Sequence, residues 1–137
     1  MRSTALVDAG VIVAALNRAD RYHEQIVELL GQFEGTFLST WPAVGEACAL
    51  LGPRRQSAVL DWIDDPEIEI VSIDEGLSFM RQQMADYADL PCDFADASLL
   101  YAAWRTKVRE IWTLDRDFLV YRLPDRSRLK VIPGERA

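Results

Sequence analysis

Thr4-Ala5-Leu6-Val7-Asp8-Ala9-Gly10-Val11-Ile12-Val13-Ala14-Ala15-Leu16 decides how this chain folds. A short apolar strand, Thr4 to Val7, runs into an acid, and behind Gly10 the sequence stays apolar from Val11 to Leu16 at helical length. A strand that passes straight into a buried helix opens a βαβ unit, and the rest of the chain repeats the alternation. Tyr22 to Phe33 sets Ile26, Leu29, Leu30 and Phe33 at helical spacing, and Thr36 to Leu38 is a second strand candidate. Pro42 suits the first turn of a helix through Leu51, which Gly52-Pro53 stops. A further helix ends around Val59, Leu60, Trp62 and Ile63, and the alternating Glu67-Ile68-Glu69-Ile70-Val71 reads as an edge strand. Leu77 to Ala88 puts Met80, Met84 and Ala88 on one helical face, whereas Phe94 to Trp104 is apolar nearly all round and therefore buried. Glu110 to Leu114 and Leu129 to Ile132 are the last strands. Strands separated by helices predict an α/β fold with a mainly parallel central sheet, flanked by helices on both faces.

Length and charge narrow the class. At 137 residues, half of them apolar and 27% charged, the chain is expected to be a single globular domain over residues 1–137. Its longest stretch without a charge, Gly35 to Gly45, has 11 residues and contains Pro42, so no membrane span is expected. Asp8 interrupts the apolar run behind Arg2, which argues against a signal peptide. Cys48 and Cys92 with the single His23 are too few for a disulfide framework or a structural zinc site, so the expected setting is cytoplasmic, with reduced thiols. The net charge of −7 argues against binding nucleic acid by overall positive charge. Its distribution is uneven: residues 1–103 carry −11 and residues 104–137 carry +4.

The chemistry lies in acids placed where the core should be. Asp8 and Asp115 end two strands, and ligands of open parallel sheets bind outside the carboxyl ends of strands. A turn residue or helix N-cap is what an Asp after a strand usually is. Asp96 interrupts the core-like Phe94-Ala95-Asp96-Ala97-Ser98-Leu99-Leu100, and burying an unpaired carboxylate costs several kcal/mol or forces it to protonate. With Asp93 as N-cap, Asp96 falls at the third helical position, where the helix dipole supplies only about 0.3–1 kcal/mol. Glu46 is likewise a lone acid in the apolar Val44-Gly45-Glu46-Ala47-Cys48-Ala49-Leu50-Leu51. Clustered carboxylates repel one another, and a hard divalent cation with oxygen ligands is the usual resolution.

The order Leu6-Val7-Asp8, Thr40-Trp41-Pro42 leading to Glu46, Asp93 with Asp96-Ala97-Ser98-Leu99, and Trp112-Thr113-Leu114-Asp115-Arg116-Asp117-Phe118 resembles the PIN-domain nucleases, and among them the VapC-type toxins of bacterial toxin–antitoxin pairs. The resemblance covers nearly the whole chain, and its last block is the most specific piece. It implies a divalent-metal-dependent ribonuclease in which Asp8, Glu46, Asp96 and Asp115 hold Mg²⁺ or Mn²⁺ and carry catalysis, with Asp117 as an additional ligand and Thr113 and Asp93 orienting the acids. It further implies an RNA substrate, a cognate antitoxin and a homodimer. The family usually has Thr or Ser after the first Asp, then Ser or Asn; this chain has Ala9 and Gly10.

A carboxylate-held ion needs no protein nucleophile for an in-line displacement, in keeping with the lack of any Ser or Cys nucleophile motif. Arg116, Arg122, Arg126 and Arg128 are the candidate RNA contacts, with Arg54, Arg55 and Lys130 as further basic positions. Two other readings stand beside this one. A PIN-like RNA- or partner-binding module without turnover is suggested by Ala9 and Gly10. A Mg²⁺-dependent receiver- or phosphatase-like domain would want paired acids at the first strand end, where only Asp8 occurs.

Overall fold

The computed structural model describes residues 2–133. Five strands, β1 (Ser3–Val7), β2 (Gly35–Ser39), β3 (Ile68–Ile70), β4 (Glu110–Trp112) and β5 (Lys130–Ile132), form one sheet in the order β3-β2-β1-β4-β5. Every pairing is parallel. Between them run α1 (Ala9–Leu16), α2 (His23–Gln32), α3 (Trp41–Leu51), α4 (Gln56–Ile63), α5 (Leu77–Asp86) and α6 (Phe94–Thr106).

The pleat divides the strand side chains between two cores. Ala5, Val7, Phe37 and Trp112 pack with buried residues of α1, α2 and α4, while Leu6, Leu38 and Ile111 pack with α5 and α6. Helix α3 serves both, Ala43 on one side and Val44 and Ala47 on the other. The chain steps from β1 to β2 to β3 by way of α1 to α4, then crosses back on the other face through α5 and α6 to enter β4 beside β1. Strand order therefore reverses between β1 and β4, and a crevice opens there at the carboxyl ends of the two strands. This order also differs from the 2-1-3-4-5 order of receiver-like domains, which removes the receiver-like part of that alternative.

Elements fall where the hydrophobic pattern puts them, with differences at the ends. β4 stops at Trp112, so Thr113 and Leu114 lie beyond it. The cause is local: the Thr113 hydroxyl accepts from the Asp115 backbone N–H at 3.0 Å and turns the chain, although Thr113 N–H still donates to Ile132 across the ladder. A short 3-10 turn, Arg116–Leu119, follows under an Asp115 cap. Helix α6 is buried along its middle, but Phe94 and Trp104 near its ends are exposed. Ala88 lies past the end of α5.

Candidate active site

Asp8 follows β1 directly and caps α1. It is 94% buried, and both its oxygens are engaged: Oδ1 accepts from Ala9 N–H at 2.7 Å and Oδ2 from the Thr113 hydroxyl at 2.8 Å. Because the same hydroxyl accepts from Asp115 N–H, Thr113 joins the carboxyl ends of β1 and β4 across the crevice. Asp115 is half-buried, and its Oδ1 accepts from Asp117 N–H at 2.9 Å.

Asp96 reaches the same edge from α6. It forms a reciprocal capping box with Asp93, Asp96 N–H donating to Asp93 Oδ1 at 2.8 Å and Asp93 N–H to Asp96 Oδ2 at 3.3 Å. The Tyr121 hydroxyl donates to the same Oδ2 at 3.4 Å. Capping is thus a true description of what Asp8, Asp96 and Asp115 do for the backbone. It does not explain why two of them are buried, since a cap works as well in solvent.

Glu46 is half-buried on α3. The start of that helix is tied to α6 by a buried hydrogen bond of 2.6 Å between Thr40 and Ser98. Ser98 donates to Ala95 C=O, so Thr40 is the donor in the pair.

Burial and mutual repulsion govern the protons. Burial raises the Asp8 carboxyl above its ordinary value against the lowering effect of Thr113 and Ala9, and Asp115 and Asp93 add to the rise. Burial, then Asp93, pushes Asp96 up to about 8, with Asp8 and Asp115 contributing. Glu46 is raised by burial and then by Asp93, Asp8 and Asp115. Asp117 is raised by desolvation and by Asp115. The carboxylates of four separate segments thus act on one another at one edge of the sheet.

The acids fit a hard divalent cation by chemistry, being oxygen donors whose repulsion a cation relieves. As placed, no three His, Cys, Asp or Glu side chains among the described residues stand close enough to hold one ion together.

The basic candidates scatter. Arg116 is exposed beside Asp115. Arg122 is half-buried and turns its guanidinium to the chain, donating to Val120 C=O at 2.7 Å. Arg126 and Arg128 are exposed in the turn that leads into β5, whose first residue pairs with Glu110 at the start of β4. They therefore lie toward the amino ends of the strands, away from Asp8 and Asp115. Arg55 donates to Asn17 Oδ1 at 3.0 Å. His23 donates through Nδ1 to Ala14 C=O at 2.7 Å, a structural tie between α2 and α1.

Three residues have supporting roles that the sequence reading did not assign. Thr40 carried a signal, a Thr two residues before a Pro being a common helix start. Ser98 stood in a quoted motif and Tyr121 in none, but for both only the packing of α6 against α3 and the chain after the 3-10 turn gives the hydroxyl its partner.

The PIN domain family model matches residues 5–123, and the chain belongs to that family. Among solved structures it is similar to Mycobacterium tuberculosis VapC20, a sarcin-ricin loop cleaving toxin, with 17% identity and a TM-score of 0.75 over 86% of this chain and 94% of that one. It is also similar to VapBC2 from Rickettsia felis bound to a DNA fragment from their promoter, with 14% identity and a TM-score of 0.62 over 94% and 97% of the two chains. At such identities the likeness is one of fold. No curated protein sequence matches the chain.

Proposed function

We propose that the chain is a divalent-metal-dependent endoribonuclease that hydrolyses RNA phosphodiester bonds, as the toxin of a toxin–antitoxin pair. Residues 1–137 act as one catalytic unit. The observation that carries this reading is the buried link Asp8–Thr113–Asp115 across the β1–β4 crevice of a PIN domain, with the carboxyls of Glu46 and Asp96 raised by these same acids after burial and Asp93.

In this reading those four acids hold Mg²⁺ or Mn²⁺, with Asp117 as a further ligand. A bound ion would supply a water of lowered pKa and charge neutralisation at the phosphate. The chain's own part is to aim oxygens. Thr113 holds Asp8 through Oδ2, the Asp117 N–H holds Asp115, and Asp93 and Tyr121 fix Asp96. Thr113 reaches Asp8 Oδ2 from just past β4, while Ala9 offers Asp8 only its backbone N–H. Such supporting hydrogen bonds tune metal affinity as strongly as many ligands do.

The partners follow. A cognate antitoxin with an Arg or Lys in its contact segment would neutralise the acids, as a guanidinium does bidentately. The Rickettsia complex supports a second protein, and VapC20 supports an RNA target. The chain works in the cytoplasm, as a homodimer, with Arg116 as the RNA contact beside the acids and Arg126 and Arg128 as contacts that only a longer strand reaches, while Arg122 turns its guanidinium to the chain. No helix among the described residues is long and apolar enough to cross a membrane.

The test is cleavage of mixed single-stranded RNA by the purified chain with Mg²⁺, with Mn²⁺ and with chelator. Cleavage that needs the ion and disappears in Asp96→Asn supports the reading; cleavage untouched by chelator or by the substitution overturns it. Tight RNA binding with no cleavage in Mn²⁺ would establish the module without turnover.

A further inference from the structure

We infer that Trp41 and Phe94 form a stacking platform for unpaired RNA bases at the rim of the acid site, an inference that rests on the ribonuclease reading above. Trp41 is 58% exposed and Phe94 51% exposed, in a protein whose other large rings are mostly packed. Phe33, Phe37, Trp62 and Trp112 sit in one aromatic cluster, and Phe118, Tyr121 and Tyr87 in another. Among the described residues neither Trp41 nor Phe94 stacks on another ring.

Their placement is matched. Trp41 is the first residue of α3, behind the Thr40 cap, and Phe94 the first of α6, behind the Asp93 cap. These two helices carry Glu46 and Asp96, and the Thr40–Ser98 hydrogen bond locks their starts together. Asp93, the neighbour of Phe94, is a charge that bears on Asp8, Glu46 and Asp96. Thr40, the neighbour of Trp41, continues from β2, whose partner β1 ends at Asp8. Both rings therefore open the helices that carry Glu46 and Asp96, at the end of the sheet where Asp8 lies.

Charge selects the occupant. Residues 1–103, which include both rings, carry a net −11, so overall charge gives the rings no help in holding phosphates. Arg126 and Arg128, toward the other end of the strands, do little to offset this. What the two exposed rings offer RNA is a flat face for an unpaired base. Base–aromatic stacking needs no positive charge and tolerates any sequence. It requires an unpaired base, so the platform selects single-stranded segments and seats a base beside the phosphate to be cut. Trp41 and Phe94 are positioning residues in this scheme.

The experiment is fluorescence anisotropy of a labelled 12-nucleotide RNA of random sequence, with Ca²⁺ replacing Mg²⁺. A 12-mer of the same backbone without bases, and an RNA duplex, are the comparisons. Trp41→Ala and Phe94→Ala should each weaken single-strand binding about tenfold, as loss of one stacked base does. The base-free strand should bind wild type and variants alike, and the salt slope should not change, because no phosphate contact is lost. Trp41→Phe and Phe94→Tyr should bind as wild type. Trp41→Leu keeps apolar bulk without a flat face, so it should behave like Trp41→Ala, which also covers an alanine variant that fails to fold. Wild-type protein that binds no RNA overturns the ribonuclease reading and the platform together. Wild-type binding that the alanine and leucine variants leave unchanged overturns the platform alone. So does a wild-type dimer that these variants turn into a monomer, since the rings would then be covered by a second copy.

Discussion

The Thr113 hydroxyl donates to Asp8 Oδ2 at 2.8 Å across the crevice between β4 and β1, and the residues it joins are 105 positions apart in sequence. It is 98% buried and leaves Asp8 no oxygen without a donor. Thr113→Val keeps shape and removes the donor. The loss of a buried hydrogen bond to a carboxylate should cost about 1.5–3 kcal/mol in urea unfolding without metal. Cleavage should fall about 10- to 100-fold through weaker metal binding, and Thr113→Ser should recover most of it. A valine variant that titrates Mn²⁺ like wild type would show that Thr113 does not tune the site.

Asp96 gives the pH dependence. Its carboxyl is raised from 3.8 to about 8 by burial and by Asp93, so the folded chain keeps a proton that the unfolded chain has released. An acid raised on folding stabilises the fold below its unfolded value, and that stability is lost as pH climbs through the folded value. Between about pH 4 and pH 8 the metal-free protein should therefore lose Tm, and Asp96→Asn should lose less over the same window. The amide oxygen still accepts from Asp93 N–H, so the capping box survives. Divalent ion should restore wild-type Tm at the alkaline end and leave the variant unchanged. Parallel melting curves for the two proteins across this range would contradict the assignment.

Gly76 caps α5, and a Cβ built there would lie 2.7 Å from the Tyr101 ring on α6. That ring is nine-tenths buried and packs edge-on against Phe79 at 5.5 Å, so it cannot swing away freely. Gly76→Ala should destabilise the fold by about 1–3 kcal/mol, the usual range for overpacking. The urea midpoint is the measurement, and an unchanged midpoint would mean that the α5–α6 contact yields at no cost.

The α/β class and the strand positions were legible because each strand is a short apolar run beside a helix-length one, as Val7 and Val11 already show. The sheet order was not, since nothing local in Glu110-Ile111-Trp112 says that it enters beside β1 and not beside β3. The acids stood out because Asp96 and Glu46 break apolar periodicity. Their supports did not, because Tyr121 and Ser98 look like ordinary core residues until tertiary contact gives their hydroxyls a partner. The charge asymmetry was legible in amount but not in place: β5 starts level with Glu110, so Arg128 falls at the far end of the strands.

That placement changes what the arginines should do. Arg116 follows Asp115 directly, whereas Arg126 and Arg128 precede β5 and Arg122 donates to backbone carbonyls. A phosphate contact near the cut should matter for any RNA, while one at the opposite end matters only for a strand long enough to pass round the β5 edge. Arg126→Ala with Arg128→Ala should therefore leave binding of a short RNA unchanged. For a long RNA the pair should weaken affinity about equally across sequences and flatten the salt dependence by roughly one unit of slope per lost contact. Arg122→Ala should act through stability, because its guanidinium holds the end of the 3-10 turn. Affinity and salt slope for short and long RNA, measured side by side, decide the matter: equal losses on both would bring Arg126 and Arg128 to the acid site, and no loss on either would remove them from the RNA path.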